Sequence, residues 1–286
     1  MAPQTRLLSQ APRTSSRAFF PFSRAVLSSA AVLCVSAPLS AMAAGPGGPG
    51  GPGGKEGESS WGLGVGAVSS QKAYTGYDRE TKVLPIISYE NRWVKVAGLG
   101  VTGKLPSWNI SPSQRVDFGL VAKLDLGGYK QDDAPILNGM AERKGGVWLG
   151  AKAEWKTDMF DLGGEWTADA SGNSKGQKFA LTLEKTWRLG GQFMLTPRLG
   201  ANWVDKKYVD YYYGVRADEV RAGRAFYQGK STTNAEVGLR TMYLFNQHHA
   251  MLLDLSVTSL GSGIKDSSLV DRSTENRVFV GYQYRF

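Results

Sequence analysis

From Trp61 to Phe286 apolar residues recur at every second position, in runs of about 9 to 12 residues. In one run Val116, Phe118, Leu120, Ala122, Leu124 and Leu126 alternate with Asp117, Gly119, Val121, Lys123, Asp125 and Gly127. In a second, Val147, Leu149, Ala151, Ala153 and Trp155 alternate with Trp148, Gly150, Lys152, Glu154 and Lys156. Similar runs cover 160–169, 235–245 and 277–286. A period of two is the signature of strands with one apolar face. Helical periodicity is poor, and no stretch of 18 uncharged apolar residues occurs in this region, so no spanning helix is expected there.

Strand length narrows the choice. Soluble strands average ~5–6 residues, whereas a tilted strand crossing a bilayer needs ~9–11. The second face matters more. It carries charges of both signs and many glycines, unlike a dry core. A soluble β-sandwich would show similar alternation, but with the apolar face turned inward and shorter strands. The pattern therefore predicts a closed antiparallel transmembrane β-barrel over 61–286, because only closure satisfies every backbone group of a sheet in lipid. Its polar face becomes the lumen, which places Asp117, Lys123, Asp125, Lys152, Glu154, Glu236, Arg240, Arg277 and Arg285 inside.

Short connections such as Glu90-Asn91-Arg92, Lys156-Thr157-Asp158, Leu189-Gly190-Gly191 and Asn246-Gln247-His248 alternate with long, charged ones at 128–144, 214–230 and 259–276. Short periplasmic turns and long outer loops give this asymmetry. Eight strands follow from Gln114 onward, and two precede Trp93. If 93–105 supplies two short strands the total is twelve; if it is one long strand the total is ten. The run Tyr211-Tyr212-Tyr213 lies beyond the outer end of the 193–203 strand. Tyrosine suits a bilayer interface, so Trp203, Tyr208, Tyr211, Tyr212 and Tyr213 are expected in an aromatic girdle and the loop above it.

The first 43 residues differ from the rest. Arg6, Arg13, Arg17 and Arg24 come without acids, an apolar run covers 25–37, and Ala41-Met42-Ala43 supplies small residues for cleavage. This is a secretory signal peptide, 1–43. Cys34, the only cysteine, follows the bulky Leu33 and leaves with the leader. The exported chain then has no thiol for disulfides or sulfur-based metal sites. The formal charge of +9 falls to +5 once the four leader arginines are removed. No basic block stands out, so nucleic acid is not an expected partner. Residues 44–60, rich in Gly and Pro, have nothing to bury and form a flexible periplasmic linker.

Candidates for catalysis are few. His248 and His249 are adjacent in a predicted periplasmic turn, and neighbours on a strand point to opposite faces, so they do not make a metal pair. Lumen carboxylates, including Asp117, Asp125, Glu154, Glu165 and Glu236, are balanced by lysines and arginines, which fits a polar network better than an acid–base pair. "GLGVGAV" near the start is followed by no helix, as a phosphate-binding loop would require. No enzyme activity and no cofactor are expected.

The segments "LGVGAVSSQKAYTGYD", "LPIISYENRWVKVAGLGVTGKL", "LTPRLGANW" leading into "YYYGV", "GSGIKDSSLVDRS" and the closing "VGYQYRF" together resemble the MipA/OmpV family of outer-membrane proteins. Ser268 stands where a proline often follows the Asp-Ser pair, a local departure. Val280, Tyr282, Tyr284 and the terminal Phe286 resemble the outer-membrane assembly signal. The resemblance implies a Gram-negative outer-membrane barrel, recognised by the barrel assembly machinery and surrounded by lipid and lipopolysaccharide. It also implies a scaffold role, joining a lytic transglycosylase to a penicillin-binding protein. A narrow solute channel and a surface adhesion or antigen protein are the alternative functions.

Overall fold

The computed structural model describes residues 59–286. The signal peptide and nearly all of the linker lie outside the described residues. The strands are β1 (Ser60–Gln71), β2 (Glu80–Glu90), β3 (Val94–Ala97), β4 (Gly100–Lys104), β5 (Trp108–Ser111), β6 (Gln114–Tyr129) and β7 (Arg143–Lys156). They continue with β8 (Asp161–Asp169), β9 (Gln177–Glu184), β10 (Trp187–Leu189), β11 (Phe193–Val204), β12 (Thr232–Leu244), β13 (His249–Ser259) and β14 (Thr274–Arg285). Two helices sit in connections, α1 (Lys206–Tyr213) and α2 (Ser262–Lys265).

All strand pairs are antiparallel, and the sheet closes on itself. β14 pairs with β1 from Gly62↔Arg285 to Gln71↔Asn276, and the Phe286 amide donates to the Trp61 carbonyl at 3.1 Å. Neither terminal strand keeps a free edge at the seam. The ring has twelve staves, two of them interrupted. β4 and β5 both pair with β6, with Pro106 between them. β9 and β10 both pair with β11. Here the cause is Pro197. Its carbonyl accepts from Lys185 at 3.4 Å, so its missing N–H falls on the same side and the ladder breaks. The segment 93–105 provides two short strands, β3 and β4.

Connections at one end are tight: 91–93, 157–160, 190–192 and 245–248. Gly190 and Gly191 hold φ of 62° and 78°, which glycine adopts freely. The other end carries the long loops 130–142, 205–231 and 260–273, with shorter ones at 72–79 and 170–176. One outer connection is short, the Gly98-Leu99 turn between β3 and β4.

The wall is apolar outside. Val83, Leu120, Leu199 and Val237 are 57–70% exposed, in a belt far larger than water tolerates. Lipid supplies the missing burial. Leu120→Arg is therefore expected to cost ~2–4 kcal/mol at mid-bilayer and to impair assembly, followed by heat-shifted gel mobility. Lys123→Gln, three residues along β6 and facing inward, should assemble and give a milder loss. The reverse order of severity would invert the assigned faces.

Candidate functional site: the lumen and its outer lid

The inner face of the strands is a lattice of ion pairs. Asp254 of β13 lies at its centre, 1% exposed. Arg198 of β11 grips it in a fork, Nη1 to Oδ2 at 2.7 Å and Nη2 to Oδ1 at 3.0 Å, and turns its Nε to Glu236 at 3.0 Å. Arg240 and Arg277 each reach the same carboxylate at 3.3 Å. Gly238 leaves the space, since a Cβ there would overlap the Arg198 guanidinium. On the facing wall Lys123 pairs with Glu165, Lys152 with Glu154 at 2.7 Å, Lys156 with Asp117 at 2.8 Å and Lys178 with Asp125 at 3.0 Å. Arg285 stands near the tight-turn end, 3.8 Å from Met242 Sδ. Planar guanidinium forks meeting carboxylates bidentately form the stronger class of charged hydrogen bond. Between Lys72, Glu236, Glu275 and Arg277 remains a cavity of ≈ 20 Å³, room for about one water.

Above this lattice the outer loops pack into a lid with its own core. Tyr74, Leu137, Val209, Tyr212, Tyr213, Ile264 and Leu269 are buried together. They come from four different connections. Helix α1 starts where Asp205 accepts the Tyr208 amide at 2.9 Å, an N-cap that satisfies an otherwise orphan donor. Spacings of three and four then bring Val209, Tyr212 and Tyr213 to one face. Tyr74 stacks on Tyr213 at 5.3 Å and meets Tyr129 edge-on at 5.2 Å. Its hydroxyl donates to the Tyr212 carbonyl at 3.0 Å. Burial pushes the Tyr74 and Tyr213 phenols well above the ordinary tyrosine range, so both stay neutral.

Arg143, at the outer end of β7, ties the lid down. It donates to both Glu219 oxygens at 2.8 and 2.9 Å, to the Tyr211 carbonyl at 2.8 Å and to the Ala141 carbonyl at 2.8 Å. Arg224 donates to the carbonyls of Glu219, Ile136 and Asn138. Burial alone would raise the Glu219 carboxyl. The Arg216 and Ala141 amides and the Arg143 guanidinium more than offset this, and hold it below the usual carboxylate range.

The girdle expected of the tyrosine run is corrected here. Trp203 is on the outer face of β11 and partly exposed, but Tyr208, Tyr211, Tyr212 and Tyr213 belong to α1 and pack inside the lid. Their rings find a dry core with polar exits for the hydroxyls, which a lipid interface would only half supply. Arg198, Asp254, Arg143 and Glu219 went unremarked in the sequence. The alternation in "TPRLG" and "LLDLS" already turns Arg198 and Asp254 inward. Nothing comparable marks Arg143 or Glu219. In the 245–248 turn, the His248 ring shares a 2.8 Å hydrogen bond with the Arg285 carbonyl, and His249 bonds Tyr282. Among the described residues no group of three His, Cys, Asp or Glu side chains could hold a metal ion. On β14, Val280, Tyr282 and Phe286 are exposed on the outer face and Tyr284 is half-buried between His248 and Phe286.

The family described as "MltA-interacting protein MipA" matches residues 63–286, the whole barrel. Relatives are similar over most of their lengths. "Putative outer membrane protein YiaT" of Escherichia coli (strain K12) is 26% identical over 80% of this chain and 92% of its own. "MltA-interacting protein" of the same organism is 26% identical over 81% and 91%. "Outer membrane protein OmpV" of Vibrio cholerae is 26% identical over 80% and 88%. A closed twelve-stave barrel with an apolar outer belt, matched from end to end, places this chain in the outer membrane, as a member of the MltA-interacting protein (MipA) family.

Proposed function

We propose that this barrel is a non-enzymatic scaffold that does not conduct, and that it holds murein enzymes at the inner surface of the outer membrane. One observation carries the reading: the lumen is filled twice over, by the Arg198–Asp254 lattice and by the tyrosine lid. A solute would have to break buried ion pairs at both levels. What stays available to a partner is the tight-turn end, where Trp93, Met159 and Phe245 are exposed, and the linker that enters at Ser60. One relative is named for an interaction with MltA. A lytic transglycosylase and a penicillin-binding protein are the pair the family resemblance implies for this chain. On the same reading the assembly machinery recognises Val280, Tyr282, Tyr284 and Phe286, and lipopolysaccharide surrounds the outer belt.

The test is electrical. Protein folded into a planar bilayer, with heat-shifted mobility proving closure, is expected to give no resolved conductance steps. Stable unitary steps from the wild-type chain would favour the solute-channel reading instead.

A further inference from the structure

The wall of the barrel is not equally tall all round. β3 and β4 have only 4 and 5 residues, while their neighbours β2 and β6 have 11 and 16. The β3–β4 hairpin turns back at Gly98-Leu99, with Gly98 at φ 57°. Its last rungs are Ser88↔Ala97 on β2 and Gly100↔Lys123 on β6. From Ile86 up to Glu80, β2 is paired on its β1 side alone. From Asp125 up to Tyr129, β6 pairs with a strand on its β7 side alone. Three strand spacings of ~4.8 Å separate β2 from β6, so the gap is about 14 Å wide between strand axes. Its upper edge is closed, because Lys72 reaches from the β1–β2 loop to the Gly128 carbonyl at 3.1 Å. The result is a window in the wall.

The edge of β2 is built for having no strand beside it. The Gly98 amide donates to the Ile87 carbonyl, so odd-numbered residues of β2 turn their backbone groups toward the gap. Pro85 is one of them, and it has no N–H to leave unpaired. The frame of the window is at lipid level, since Val83, Ile87 and Leu124 flank it on the outer face and are exposed. Behind it an apolar patch interrupts the charged lumen, below the inward-facing Lys82–Glu80 pair of β2. Leu84 and Ile86 point inward yet are only half-buried. Ile86 meets the Phe279 ring over Gly66 and Gly281, where any Cβ would overlap them. Phe279 and Val68 are 2% exposed.

We propose that an acyl chain of an outer-leaflet lipid enters the barrel through the window between β2 and β6 and packs on Leu84 and Ile86. Hydrocarbon is the medium at the window's mouth, the inner surface it meets is apolar, and the lid and ion lattice leave no other route to that surface. The inference does not depend on the scaffold reading.

The test uses the full chain with Cys34→Ser, folded in vesicles, carrying one fluorophore on an introduced cysteine. Leu84→Cys reports the inner side of the window, Val83→Cys the lipid face and Thr258→Cys a polar inner-face position on β13, three staves from β2. Ile86→Cys replaces Leu84→Cys if the latter fails the heat-shift assay. Vesicles made of phospholipid with brominated acyl chains should quench the probe at Leu84 to about the extent seen at Val83, and leave that at Thr258 unquenched. A probe at Leu84 as unquenched as at Thr258 would overturn the proposal. Quenching by added brominated fatty acid but not by brominated phospholipid would also overturn it, by making a free amphiphile the occupant.

Discussion

Asp254→Asn is expected to lower the stability of the folded barrel by about 3–5 kcal/mol, the usual cost of removing one partner from a buried ion pair. The carboxylate is the common anion of three arginines, Arg198, Arg240 and Arg277. Removing its charge leaves three guanidinium groups crowded in a closed lumen, with Glu236 bonded to Arg198. Their mutual repulsion is screened little, because both Arg198 and Asp254 are nearly inaccessible. Arg240→Gln is the matched control. Its side chain is 18% exposed, and Asp254 keeps two partners, so the loss should be smaller by well over half. Urea unfolding in lipid vesicles, followed by tryptophan fluorescence, measures both. An Asp254→Asn midpoint equal to that of the wild type would show that the lattice does not hold the staves together.

The barrel was legible because its physics is local. An apolar residue at every second position fixes which way each side chain points, and the tight turns fix the reversals. That sufficed for the barrel and left twelve or ten staves open, which the short pair β3 and β4 in 93–105 settles at twelve. It did not reveal the partners of Arg198. Asp254 is 56 residues away in the chain, and their meeting depends on the stagger of β11, β12 and β13, which no single strand encodes. Nor did it reveal that β4 and β9 break. Pro197 hides within a run whose alternation continues across it, while at Pro106 the outward positions pass from Leu105 to Trp108, a one-residue slip in phase. The lid departs from expectation for a related reason. "DKKYVDYYYG" lies beyond a strand end, where tyrosines suit an interface. Its Asp205 cap and the four-residue spacing of Val209 and Tyr213 are helical signals. Loop cores assembled from four separate connections carry no period to extend.

Arg143→Ala is expected to release the lid while leaving the barrel closed. The residue directs four hydrogen bonds to the lid: two to Glu219, one to the Tyr211 carbonyl and one to the Ala141 carbonyl. Alanine leaves the Glu219 carboxylate buried without its cation, a loss of about 3–5 kcal/mol. That loss falls on loops otherwise tied by the tyrosine core, by Arg224 and by scattered hydrogen bonds such as Ser267 to the Tyr213 carbonyl. The strand ladders do not pass through Arg143's side chain and should persist. Near-ultraviolet circular dichroism reports the packed tyrosines, and far-ultraviolet dichroism reports the strands. The variant should lose much of the first, keep the second, and become open to protease within 205–231. Arg143→Lys keeps a charge but not the planar fork, so it should fall between. Acid gives an independent route to the same state. Glu219 is held below the ordinary glutamate pKa of about 4.3, so its contribution is complete above that value and fades as the pH falls through the lowered one. The wild-type tyrosine signal should thus hold from neutrality to about pH 4.3 and fade only in stronger acid. In Arg143→Ala the signal should already be weak at neutral pH. An Arg143→Ala protein with full tyrosine signal and an intact 205–231 loop would mean that the aromatic core alone keeps the mouth shut.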